Sequence, residues 1–213
     1  AELGWASGDI NPHVIRHADG TLTMSYQRLS GGIYIARSDD DGATWDQLQT
    51  ALAPAGALPR VAYRESDGLY LASYQVNPGD NQLRMYIKTS TDVHDWSAAP
   101  QDFAVTGNNH DSLPVVMPDD AFALFWIRQN GTGFDIAARR SLDGLSWDPT
   151  VTITDTPAED DVEPHPLVTS ASTVELYWGR SLAGLDYDIV REPEVRLFEP
   201  PLFADGFELP VAP

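Results

Sequence analysis

Acidic residues and arginines recur at matched positions along this chain. Three residues before a proline that opens an apolar run stand Asp9, Asp111 and Glu163, with Gly56 at that place in the second unit. Two residues after the aromatic that closes the next run stand Arg28, Arg128 and Arg180, with Val76 in the second unit. Neighbouring carboxylates can transfer protons, and arginines can bind an anionic group. Alternatively, each acid and arginine form a salt bridge that ties two strands together.

The elements that must position these residues are predicted to be short β-strands. In each unit a proline opens the first strand, a tight turn follows, and a second strand ends on an aromatic residue. The opening prolines are Pro12, Pro59, Pro114 and Pro166, and the closing aromatics are Tyr26, Tyr74, Trp126 and Trp178. In an antiparallel meander the start of the first strand and the end of the second share an edge. The acids and arginines are therefore expected at one edge, and the turn after the third strand at the opposite edge.

Three turns that end in tryptophan set the period of the pattern. They are Ser38-Asp39-Asp40-Asp41-Gly42-Ala43-Thr44-Trp45, Ser90-Thr91-Asp92-Val93-His94-Asp95-Trp96 and Ser141-Leu142-Asp143-Gly144-Leu145-Ser146-Trp147. Their tryptophans are 51 residues apart each time. A fixed period near this length, with one antiparallel meander per repeat, is typical of a β-propeller blade.

These turns carry a family resemblance. Ser38 to Trp45 resembles the Asp-box of the sialidase (BNR-repeat) propellers, and the two shorter copies are also similar to a turn of five-bladed glycosidase propellers. The resemblance implies an all-β fold, a β-propeller of about four four-stranded antiparallel blades with Asp-box turns. The expected domain spans 1–198, with repeats at about 9–57, 58–110, 111–162 and 163–198.

The fourth unit and the tail depart from the pattern. The fourth unit has no Asp-box, and Pro193 is expected to interrupt it, so that 194–198 would form its outer strand. Four units could close as a small ring, or a second copy of the chain could complete the propeller. Residues 199–213 are predicted to be a proline-rich, poorly ordered tail.

The resemblance also suggests a function. Pro12 to Leu22 resembles the first blade of a sialidase, and Arg28 matches an arginine that this family places at the end of its second strand. Five-bladed glycosidases use two carboxylates, one as acid and one as base. Their usual Asp-Pro of the first blade is Asn11-Pro12 here. Asp111 and Glu163 are thus the predicted catalytic pair.

The other predicted site residues would bind substrate at the same edge. The set is Arg28, Arg128, Arg180, Asp9, His110, Trp126 and Trp178. His110 resembles the histidine base of polysaccharide-lyase propellers; alternatively, it is a loop histidine bonded to a backbone carbonyl. Aromatics that close the second strand usually pack in a core, but a few at the central opening of the propeller, its mouth, could stack on a sugar ring.

Composition limits the partners. The net charge is −19, with Lys88 the only lysine against twelve arginines, so nucleic acid is not an expected partner. No apolar run approaches the roughly 20 residues of a membrane span, so no membrane partner is expected. The chain has no cysteine, which excludes disulfides and thiolate metal sites. The acidity favours solubility, or alternatively a Ca²⁺ site, and no other cofactor is expected.

The expected function is therefore that of a carbohydrate-recognising, sialidase-like propeller whose partner is a glycan or polysaccharide, and a glycoside hydrolase acting on an anionic glycan is one form of this expectation. A non-catalytic lectin-like or protein-interaction module is the alternative, as is a structural half-propeller that assembles with another copy. The residues from Ala1 onward do not have the pattern of a signal peptide, so a mature, cytoplasmic or trimmed form is expected. Phe203 to Glu208 resembles a C-terminal segment of secreted bacterial proteins, so a secreted or periplasmic bacterial location is expected.

Overall fold

The protein is built from β-strands alone in the parts that its computed structural model describes. These are residues 8–103, 107–170, 172–181 and 186–197, without the side chains of 47–50. The fifteen strands are β1 (Asp9–Arg16), β2 (Leu22–Arg28), β3 (Ile33–Ser38), β4 (Asp46–Ala53), β5 (Ala57–Arg64), β6 (Leu69–Val76), β7 (Arg84–Ser90), β8 (Gln101–Asp102), β9 (Asn109–Val116), β10 (Phe122–Asn130), β11 (Gly133–Ser141), β12 (Val151–Thr152), β13 (Asp160–Val168), β14 (Thr173–Ser181) and β15 (Tyr187–Arg196). The described residues include no helix that could cross a membrane. The all-β prediction is confirmed.

The strands form four successive antiparallel meanders. The first meander is β1 to β4, the second β5 to β8, the third β9 to β12 and the fourth β13 to β15. The first and second meanders are separate sheets, whereas a single parallel bridge between Phe134 and Asp160 joins the third to the fourth. The first three meanders thus have the four-strand order expected from the sequence, whereas the fourth has three strands.

Apolar cores hold each meander against the next. Ile33 and Ile35 of the first meander pack with Val61 of the second. The second and third meanders share another core, and Phe125 of the third packs against Leu176 of the fourth. Among the described residues, no comparable packing joins the fourth meander to the first. The series of meanders therefore has an open side.

The innermost strand of every meander has a β-bulge at the same place. Two residues of this strand lie opposite one aromatic of the second strand, which is Tyr26, Tyr74, Trp126 or Trp178. The first residue of each bulge has a positive φ. These four residues are Asn11 (53°), Leu58 (47°), Asp111 (51°) and Glu163 (54°).

The bulge positions change the alignment of the repeats that counting from the opening prolines predicts. Pro12 and Pro59 lie inside their bulges, whereas Pro114 and Pro166 pair with residues of the second strand. The opening prolines are therefore not equivalent, and Asp111 corresponds to Asn11 and Leu58 rather than to Asp9 and Gly56. A bulge inserts one residue into one strand only, so counting from a proline gives the wrong partner.

The fourth meander also differs from its prediction. Residues 194–196 continue β15, which pairs with β14 from Tyr187 to Arg196, and an irregularity in that pairing lies beside Pro193. The expected outer strand is therefore wrong for these residues, and Phe198 lies outside the described part. β15 is an edge strand, which is where a proline is tolerated within a sheet.

The Ser-Asp turns lie at the edge opposite the bulges, as expected, since Ser38 pairs with Leu22 at the far end of β2. Asp40 accepts hydrogen bonds from the Ser38 hydroxyl at 2.8 Å and from the Thr44 N–H at 2.8 Å. Asp143 likewise accepts from Leu145 and Ser146 N–H groups, and these bonds hold its pKa below the usual range. The turns therefore stabilise themselves and lie far from the mouth.

Candidate functional site

The four bulges converge on a cavity of about 460 Å³, here called the mouth cavity. All four innermost strands line it. The lining residues are Asn11, Pro12, His13, Leu58, Arg60, Asp111, Ser112, Leu113, Glu163, Pro164 and His165. The two predicted catalytic carboxylates, Asp111 and Glu163, thus face the same space from neighbouring meanders.

The backbone that carries these carboxylates is strained and is held by its neighbours. A positive φ in a residue other than glycine costs on the order of 1–3 kcal/mol. The Asp111 N–H donates to Gln75 Oε1 at 2.9 Å, and the Ser112 hydroxyl bonds that of Ser73 at 2.9 Å. In the first meander the Asn11 side-chain amide donates to Gln27 Oε1 at 3.0 Å. Strain retained at four equivalent positions is typical of a functional site.

Neither mouth carboxylate forms an ion pair with an arginine among the described residues. The Asp111 side chain is 26% exposed and its nearest basic atom is His110 Nδ1 at 3.7 Å. Glu163 is exposed to solvent. Both groups are therefore accessible to a ligand in the mouth cavity.

Arg60 and His13 are mouth residues that the sequence did not single out as site residues. Burial lowers the pKa of Arg60, while nearby Asp111 and Glu163 act in the opposite direction. Burial, with a smaller contribution from Arg60, lowers the pKa of His13 to about 4, so its imidazole is neutral at pH 7. Both residues stand two positions after the first bulge residue of their strand. The position of the bulge would have identified both residues, but no residue type in the sequence predicts a bulge.

The acid–arginine pairs lie at the rim and are partly different from those expected. Arg28 donates to Asp9 at 3.0 Å, as the salt-bridge alternative predicts. Arg180 pairs with Asp161, at 2.6 and 2.9 Å, and not with Glu163. Both guanidinium groups are engaged by a carboxylate of their own meander, which favours the structural interpretation for them.

Among the residues that the structure describes, the third meander has no such pair at the rim. Arg128 lies opposite Asn109, and its buried Nε has no hydrogen-bond partner among the described residues. Asn109 Oδ1 instead accepts from the Trp126 indole N–H at 3.0 Å. The arginine is therefore placed at the rim without the carboxylate that its equivalents have.

The remaining predicted residues are distributed between core and mouth. Trp126 is completely buried, so its ring is not accessible to a sugar. Trp178 is 6% exposed and donates its indole N–H to Asp161 at 2.7 Å. His110 is half-buried and packs edge-on against Phe134, with ring centroids 5.1 Å apart. Of the predicted aromatics and histidine, only His110 and Trp178 line a cavity beside the mouth.

Within the described ranges, no group of three or more His, Cys, Asp or Glu side chains is placed to hold a metal ion. The Ca²⁺ site considered above therefore has no candidate ligand group there.

Comparison with known proteins identifies the fold. No protein-family model matches the chain, and no curated protein matches it. Among solved structures, a thermostable family-43 glycoside hydrolase is 12% identical with a TM-score of 0.62, and the match covers 92% of this chain and 73% of that chain. An α-L-arabinanase from Penicillium chrysogenum is 13% identical with a TM-score of 0.61, covering 86% and 61%. A Hadza microbial sialidase is 13% identical with a TM-score of 0.63, covering 91% and 46%.

The chain is thus an all-β protein whose fold is similar to that of β-propeller glycosidases, and this similarity extends beyond sialidases. It spans between about half and three-quarters of the length of these three structures. At such identities the likeness concerns the fold, and the function has to be argued from the site.

Proposed function

We propose that this protein is a carbohydrate-active propeller of four blades with Asp-box turns, and that it hydrolyses glycosidic bonds with Asp111 and Glu163. One observation carries the proposal. Two carboxylates that form no ion pair with an arginine of the described residues occupy equivalent strained bulges of adjacent meanders and line one cavity. Two carboxyl groups on either side of a glycosidic bond are the usual equipment of glycoside hydrolases.

The surroundings of the two carboxyl groups suggest their roles. Asp111 interacts with Arg60 more strongly than Glu163 does, and His110 lies 3.7 Å from it. Because Asp111 faces these two basic side chains, we assign it as the base or nucleophile. Glu163 is then the acid that protonates the leaving oxygen. Arg60 lines the mouth cavity and is available there to an anionic sugar, whereas Arg28 and Arg180 are already paired.

A panel of chromogenic glycosides tests the assignment with Asp111→Asn and Glu163→Gln. Each variant is expected to lower kcat/KM by about 10²- to 10⁴-fold, the usual contribution of a general acid or base. Glu163→Gln should retain activity on dinitrophenyl glycosides, whose leaving group needs no protonation, while Asp111→Asn should not. Asp148→Asn and Glu65→Gln are matched controls, because both residues are exposed and lie at the opposite edge. Equal activity of the site variants and these controls contradicts the proposal.

A lectin-like function is the second candidate, and Asn11 favours it. The first bulge carries a neutral amide, bonded to Gln27, where the third and fourth bulges carry acids. A glycan array would then detect binding without turnover on any glycoside. The open side between the first and fourth meanders also fits the half-propeller alternative, which light scattering tests as a stable dimer.

A further inference from the structure

A second cavity, of about 810 Å³, opens beside the mouth cavity on the side of the fourth meander. We call it the side cavity. Its lining residues are His110, Asp111, Ile127, Val162, Glu163, His165, Tyr177, Trp178, Gly179, Tyr187, Asp188 and Ile189. It shares Asp111, Glu163 and His165 with the mouth cavity, so the two spaces meet at the proposed catalytic carboxylates.

The open side of the molecule exposes one wall of this cavity. Along β14, Leu176 and Trp178 point into the core shared with the third meander, while Tyr177 and Gly179 alternate to the other face. Across from Gly179 lies Ile189, which is 85% exposed, and Tyr187 is 52% exposed. The wall is therefore an accessible strip of apolar and aromatic groups that begins at the carboxylates.

Three details make this wall suitable for a sugar ring. Gly179 carries no side chain between Val162 and Tyr187, where a Cβ would lie 3.4 and 3.5 Å from their nearest side-chain atoms. The Tyr177 hydroxyl donates to Glu175, which also accepts from Arg191, so the ring is held and its edge is polar. Aromatic rings with polar groups at their edges bind amphipathic ligands such as sugars. The volume lies within the roughly 300–1,000 Å³ of small-molecule sites.

We infer that the side cavity is a binding site for further sugar residues of the glycan that occupies the mouth. The ligand is then an oligosaccharide or polysaccharide that passes over the carboxylates, and not a single terminal sugar. This inference rests on the proposed function for the position of the mouth, but it requires only glycan binding there.

Binding of oligosaccharides of increasing length provides the test. The probes are arabino-oligosaccharides and xylo-oligosaccharides, each from disaccharide to hexasaccharide, titrated calorimetrically into the Glu163→Gln protein so that none is cleaved. Affinity for at least one series is expected to rise with length. Tyr187→Ala should remove that increase, roughly 2- to 10-fold for one stacked ring, while the disaccharide affinity stays the same. Gly179→Val should fill the site and act in the same direction.

Leu167→Ala is the matched control. Leu167 is 57% exposed and belongs to the same meander, but it does not line the side cavity. It should change no affinity. Tyr187→Phe keeps the ring and should preserve the dependence on length.

The outcomes separate this inference from the proposed hydrolysis. Length-dependent binding that Tyr187→Ala abolishes supports the side cavity even if the wild-type protein cleaves nothing. Cleavage with affinity independent of length supports the hydrolase and overturns the side cavity. The side cavity is also overturned if Tyr187→Ala lowers the affinity equally at every length, or if neither series binds. A dimer that Ile189→Asp converts to a monomer also overturns it, because the wall would then be an interface between copies.

Discussion

The buried ion pair of the fourth meander allows a quantitative prediction, because the first meander contains a more exposed version of it. Asp161 is completely buried and accepts from Arg180, from Trp178 and from the Thr156 hydroxyl at 2.9 Å. Asp9 accepts from Arg28 and is 14% exposed. The two pairs thus share an aspartate–arginine contact but differ in the burial of the aspartate and in the number of donors from which it accepts.

We expect Asp161→Asn to lower the free energy of unfolding by about 3 kcal/mol. Removing one partner of a buried pair costs about 3–5 kcal/mol, and the lower end applies because Arg180 is 25% exposed and can be hydrated. Asp9→Asn should cost only about 1 kcal/mol, as more exposed pairs do. Urea unfolding measures both from the shift of the midpoint at constant slope. A chain of this size should lose about 2–4 °C in Tm per kcal/mol.

The pH dependence supplies a second readout for the same variant. Burial alone would raise the pKa of Asp161, but the hydrogen bonds from Arg180, Thr156 and Trp178 lower it overall. Its contribution is therefore complete above the unfolded-state pKa of about 4 and is lost as pH falls through the lower folded pKa. The stability gap between wild type and Asp161→Asn should narrow below about pH 4. Equal costs for the Asp161 and Asp9 variants, or a gap that stays constant on acidification, would refute this reasoning.

Two further predictions follow from burial. The pKa of His13, lowered to about 4 by burial and then by Arg60, should give an NMR titration midpoint near that pH. Because the pKa of His13 in the unfolded chain is about 6.5, this residue should make the protein lose stability as pH falls from about 6.5 to 4. His13→Gln should flatten this pH dependence. A titration midpoint near 6.5 would contradict the prediction. Trp96→Ala should lower the free energy of unfolding by about 3–5 kcal/mol, and Trp45→Ala should lower it clearly less, as measured by urea unfolding. Trp96 is 2% exposed and donates its indole N–H to the Val93 carbonyl at 2.9 Å, whereas Trp45 is only half-buried. Equal losses for the two tryptophans would show that the motif, and not burial, sets the cost.

Much of the fold could be predicted because its signals are local. The second and third strands follow from alternation, and the Ser-Asp turns from residues that bond their own backbone. The bulges could not be predicted, because prolines, serine and leucine all occur within them and no single residue type marks them. The partner of Arg180 was missed for this reason, since counting from Pro166 leads to Glu163 and not to Asp161.

The sequence by itself determined that this is a chain of repeated antiparallel meanders, and that acids and arginines lie at the edge away from the tryptophan turns. Only the tertiary structure decided which of those charges are paired in place and which face a cavity. The physical reason is the register between strands. One inserted residue turns Asp111 and Glu163 toward the mouth, while Asp9 and Asp161 remain bonded to their arginines.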